Sequence, residues 1–161
     1  MLPEKTFKKL KESEAIPVPP KNVNLIYDFG GKADARVVEA LEVAEVIVVP
    51  FYCSSVQDLH AAAITLAELK NHVGEKNMVK VVGVLNRARK GDENALVAMQ
   101  GKFPKVSFLK VNESTLLSRL GANGQSLDDV LNDPLLSYSY RGVAAQLKAL
   151  NEKIMEVGNG K

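Results

Sequence analysis

The sequence has no tryptophan and only one cysteine, Cys53, in 161 residues. A single thiol excludes an intrachain disulfide and a cysteine-built metal site, and it suits a reducing setting. The two histidines, His60 and His72, lack metal-ligand spacing. Neither stands in a motif that pairs it with the thiol, so Cys53 reads as a small semi-buried residue rather than a nucleophile. Long apolar runs are also missing: the longest, residues 46–51, falls far short of a membrane span. The amino terminus opens Met1-Leu2-Pro3-Glu4-Lys5 and continues into lysines, without the apolar stretch of a secretory signal. Repeats and low-complexity tracts are absent. Together these absences predict a soluble, cytoplasmic protein with no integral membrane association.

What is present is an ordinary globular composition, 46% apolar and 25% charged. The net charge of +2 is not the concentrated excess of a dedicated nucleic-acid binder. The length suits one domain spanning 1–161 with one continuous core.

Four short apolar runs, at 23–27, 46–51, 79–85 and 106–111, predict strands. The second and third are dominated by valine and isoleucine, with little polar alternation, as in a parallel sheet buried on both faces. From Val56, the positions Leu59, Ala63, Leu66 and Val73 recur at helical spacing, and Ser55 followed by Asp58 is a capping-box start. Segments 35–41 and 94–103 supply further crossover helices. This alternation predicts an α/β fold: a mainly parallel sheet with helices on both faces. Residues 1–20 read as a charged helix and a proline-rich linker, and Ser126-Leu127-Asp128-Asp129 as a short capped helix. Asp133-Pro134 reads as a helix start. A final helix over 135–156 carries a stripe at Leu136, Tyr140, Val143, Leu147, Leu150 and Ile154. The stripe either docks on the sheet or forms a seam between two copies.

Ligands of open α/β sheets lie beyond the carboxyl ends of the strands, so the chemistry is sought there. The first run ends Tyr27-Asp28-Phe29-Gly30-Gly31. A carboxylate closing a strand before two glycines suits a magnesium ion, which prefers oxygen ligands. Gly30 and Gly31 then let backbone N–H groups approach a phosphate; an ordinary turn has the same residues. The second run ends at Pro50, which stops ladder pairing. The third ends Asn86-Arg87, where an amide offers a donor and an acceptor side by side to a base or simply makes a turn.

Taken in order, these edges resemble the ParA/MinD family of partition and positioning P-loop ATPases. The chain has Ile26-Tyr27-Asp28-Phe29-Gly30-Gly31, then Ala44-Glu45-Val46-Ile47-Val48-Val49-Pro50, then Gly83-Val84-Leu85-Asn86-Arg87. Arg119 follows, and then Gly124-Gln125-Ser126-Leu127-Asp128-Asp129-Val130. The resemblance runs from about residue 27 to about residue 154. It implies a P-loop NTPase-like sheet, ATP and Mg2+ as cofactors, and segregation of a plasmid, chromosome or other cargo by ATP-bound dimers. It implies a magnesium role for Asp28 and nucleotide contacts for Asn86, Arg87, Pro50, Gly30, Gly31 and Arg119. A centromere-binding protein and nonspecific DNA are the partners it implies.

One departure is large. No Gly-x-x-x-x-Gly-Lys-Ser/Thr occurs in the sequence; Gly30-Gly31-Lys32 has neither the spacing nor the following hydroxyl. The fold is therefore expected to be incomplete and unable to hydrolyse ATP alone, either as a fragment, as half of a split ATPase completed by a missing P-loop half, or as a degenerate relative. Two other readings stand beside it. One is a non-catalytic DNA- or partner-binding module using a basic face of Arg87, Arg89, Lys90, Lys102, Lys105 and Lys110. The other is an unrelated flavodoxin-like domain.

Overall fold

The computed structural model describes residue 17, residues 25–29, 36–116, 126, 128–129, 132 and 138–160. The chain divides into two compact units, Met1–Ala44 and Glu45–Lys161.

The second unit is built on a three-stranded, fully parallel sheet in the order β1-β2-β3. Its strands are β1 (Ile47–Phe51), β2 (Val81–Ala88) and β3 (Ser107–Asn112). They match three of the four apolar runs. The first unit contains α1 (Arg36–Val43), whose Ala40 is buried. Helix α2 (Val56–Val73) joins β1 to β2 through a 3-10 turn at Glu75–Lys80, and α3 (Glu93–Lys102) joins β2 to β3. The Ser55 hydroxyl caps α2, accepting from the Asp58 N–H at 3.1 Å, as the sequence predicts. Gly74 ends the helix at φ 80°, with its N–H on the Lys70 carbonyl.

Both crossovers step in the same direction across the sheet, so right-handed connections place α2 and α3 on one face. There α2 packs on β1 and α3 on β3. The long helix α4 (Tyr138–Gly158) covers the other face. Its Val143 and Ala144 are buried with Val82, Val84, Val111 and Leu116, and Tyr140, Leu147 and Leu150 pack against that cluster. Of the two uses the sequence allows for this stripe, docking within the chain's own unit is the one observed. Leu136, at its start, lies outside the described residues.

The first predicted strand is a correction. Residues 25–28 belong to no strand or helix, and Ile26 is 93% exposed; residues 23 and 24 lie outside the described residues. An apolar β-branched run becomes a strand only where a neighbour takes its backbone hydrogen bonds. Among the described residues, these have no ladder partner. Within the three-stranded sheet β1 is an edge strand, pairing only with β2. An edge is where a proline such as Pro50 is tolerated.

Candidate functional site

The carboxyl ends of β1 and β2 bring together Pro50, Tyr52, Asn86 and Arg87. Pro50 lies opposite Val84 in the ladder, with Asn86 two residues further along β2 and opposite Val111. The register then slips, with Ala88 facing Asn112, so Arg87 is the extra residue of a bulge. Arg87 has φ 53°, in the left-handed region that costs a side-chain-bearing residue about 1–2 kcal/mol. The Asn86 Oδ1 accepts the Arg87 N–H at 2.9 Å, which gives that amide a partner where the ladder is broken. One acceptor function of Asn86 is thus engaged by the chain itself. The Arg87 guanidinium lies 5.9 Å from the centroid of the Tyr52 ring, within cation–π range.

The turn after β2 is pinned to β3. The Arg89 N–H donates to Asp92 at 2.8 Å, and its Nε to Glu113 at 3.0 Å. The Glu113 carboxylate holds the Arg89 guanidinium above its usual pKa. The Lys110 ammonium pairs with Glu93, which also accepts the Gly91 N–H at 3.0 Å. Lys110 first, then the backbone N–H groups of Glu93 itself and of Gly91, hold the Glu93 carboxyl down at about 2. The Cys53 thiol is pushed up by burial, and further by the Asp92 and Asp58 carboxylates. A raised thiol pKa is the opposite of what a nucleophile needs.

The remaining predicted site residues are not gathered here. Asp28 is exposed and closes no strand. Gly30, Gly31 and Arg119 lie outside the described residues. Among the described residues, no group of three or more His, Cys, Asp or Glu side chains is placed to hold a metal. The cations proposed as one basic face are divided. Arg87, Arg89 and Lys90 cluster at the carboxyl end of β2, whereas Lys102 ends α3 and Lys105 lies between α3 and β3. The 10 residues of α3 separate the two groups by about 15 Å. Arg89 and Lys110 are already paired with carboxylates.

Sequence reasoning missed Tyr52, Asp92, Glu93 and Glu113. Tyr52 carried a signal, a large aromatic just past a strand end. The three acids act through partners in other elements and had none. No protein-family model, curated protein or solved structure matches the chain.

Proposed function

We propose that the chain carries the nucleotide-side portion of a ParA/MinD-like partition ATPase fold and does not hydrolyse ATP alone. The observation that carries this reading is the arrangement of the parallel sheet. Its first strand has Pro50 as its next-to-last residue and, among the described residues, is paired on one side only, next to a central strand whose carboxyl end carries Asn86-Arg87. In the resembling family, the P-loop strand runs beside the proline-ending strand, and the asparagine contacts adenine. An edge at β1 is where such a strand would add, and residues 25–29, outside any ladder, agree with a sheet lacking it. Without the P-loop N–H groups and lysine, a triphosphate has little to neutralise it. The split of the basic residues into two groups leaves the DNA-binding module less well supported.

Isothermal titration tests this reading. The chain alone is expected to give no tight ATP–magnesium binding and no ATPase activity, and a low-micromolar dissociation constant for the isolated chain would sink the proposal. Adding a polypeptide with a P-loop strand and its helix is expected to bring nucleotide binding, and Asp28→Ala to remove its magnesium dependence while assembly persists.

A further inference from the structure

We propose that Tyr52 and Arg87 form a ledge that seats a nucleoside monophosphate, the base stacked on the tyrosine ring and the phosphate held by the guanidinium. This rests on reading the carboxyl edge as the nucleotide side of the fold. It adds Tyr52 as the base platform and limits the number of phosphates the edge accepts.

Three observations converge on these two side chains. The first is backbone strain: Arg87 occupies φ 53° at a bulge, although glycine is the residue that takes this conformation freely. Strain of this kind persists where the side chain has a use. The second is charge. Arg89 and Lys110 beside it are spoken for by Glu113 and Glu93. Arg87 has no carboxylate partner among the described residues and lies over a ring instead. Its fork of N–H donors is open to an anion. The third is Tyr52, which keeps 46% of its surface exposed immediately after β1. A half-exposed ring at a strand's carboxyl end offers stacking to any base.

The surrounding acids set the phosphate number. The Asp92 carboxylate stands in the turn just after Arg87, where it accepts the Arg89 N–H at 2.8 Å, and after burial it and then Asp58 raise the pKa of Cys53, the residue next to Tyr52. Those carboxylates repel a polyphosphate at the same edge, so a single phosphate is favoured over three when no metal is present.

The test is an NMR titration of the isotopically labelled full chain with AMP, adenosine, inorganic phosphate and metal-free ATP. AMP is expected to shift the Tyr52 and Arg87 signals saturably, with adenosine and phosphate weaker and ATP no tighter than AMP. Tyr52→Leu is expected to weaken AMP by about fivefold or more, the loss of one stacking contact. Arg87→Gly keeps the backbone conformation available, so it is expected to weaken AMP while leaving adenosine unchanged. If Asn86→Ala weakens AMP and Tyr52→Leu does not, the ledge is wrong and the nucleotide reading stands. If no signal at this edge responds to AMP, the ledge is overturned, whereas the proposed function, which expects no tight nucleotide binding by the chain alone, stands. Tighter binding of metal-free ATP than of AMP would overturn the limit on phosphates.

Discussion

The Phe108 ring lies so close over Gly83 that a Cβ on the glycine would stand 2.4 Å from both Cδ1 and Cε1 of the ring. Gly83 faces Phe108 on one side and Val49 on the other. The missing side chain lets Phe108 reach across the central strand to Phe51. Their rings meet edge to face at 88°, with centroids 6.1 Å apart, a favoured aromatic geometry. A glycine that weakens a strand by propensity here joins β3 to β1 over the top of β2.

Gly83→Ala is therefore expected to cost about 1–3 kcal/mol, the range for overpacking a closed core. Urea unfolding measures it. Adding Phe108→Leu removes the ring the new methyl meets, so the double variant is expected to lose less than the sum of the two single changes. Strict additivity would mean that the ring and the glycine do not interact.

Arg87 gives a second stability test. Arg87→Ala and Arg87→Gly both remove the guanidinium from Tyr52, but only glycine is at ease at φ 53°. The glycine variant is expected to be more stable than the alanine variant by about 1 kcal/mol. Equal stability would show that position 87 carries no backbone strain.

Much of the second unit was legible in the sequence, for a physical reason. The valine-rich runs at 46–51, 79–85 and 106–111 each have a neighbour to pair with, and Ser55 with Asp58 marks the start of α2 by a purely local bond. Ser126 and Asp129 cap one another in the same local way, each accepting the other's N–H. The run at 23–27 looked equivalent, but its fate depends on a neighbouring strand, which no local pattern reports. The extension of β2 through the polar residues Asn86 and Arg87 to Ala88 was missed because the bulge depends on the partner's register. The Arg89–Glu113 and Lys110–Glu93 pairs join residues 24 and 17 apart in sequence, so only the fold reveals them.

The Glu93 carboxyl offers a pH test with a definite sign. Its folded pKa, about 2, lies below the ordinary value of 4.5. A depressed carboxyl contributes stability above the unfolded value, and that contribution is lost as pH falls from 4.5 towards 2. Glu75, held down by Lys70, and Asp129, held down by the Ser126 hydroxyl, act in the same direction. Lys110→Met removes the leading cause and is expected to move the Glu93 titration up towards the ordinary carboxylate range. Carboxyl-detected NMR reads it directly. An unmoved titration in the Lys110→Met chain would refute the assignment to Lys110.

The edge of β1 supports the last prediction. Among the described residues β2 is paired on both sides and β1 on one, so amide exchange is expected to be slowest along Val81–Ala88. In β1 it should be slow only at the N–H groups that donate to β2. Pro50 has no N–H, leaving Ile47, Val48, Val49 and Phe51 as reporters. Residues 25–29, outside any ladder, are expected to exchange quickly. A polypeptide carrying a P-loop strand and its helix, if it adds to β1, pairs the remaining groups and covers apolar surface such as Val48, now 42% exposed. Each added hydrogen bond contributes about 0.5–1.5 kcal/mol and each Å² of apolar burial about 25 cal/mol. The gain should therefore exceed that of a surface contact, and exchange should slow at the β1 amides that were fast in the isolated chain. A fold in which 25–29 and β1 are already hydrogen-bonded to each other makes the opposite prediction. Strong protection along both segments without any added polypeptide would show a sheet closed on itself and would rule out an open place for the missing strand.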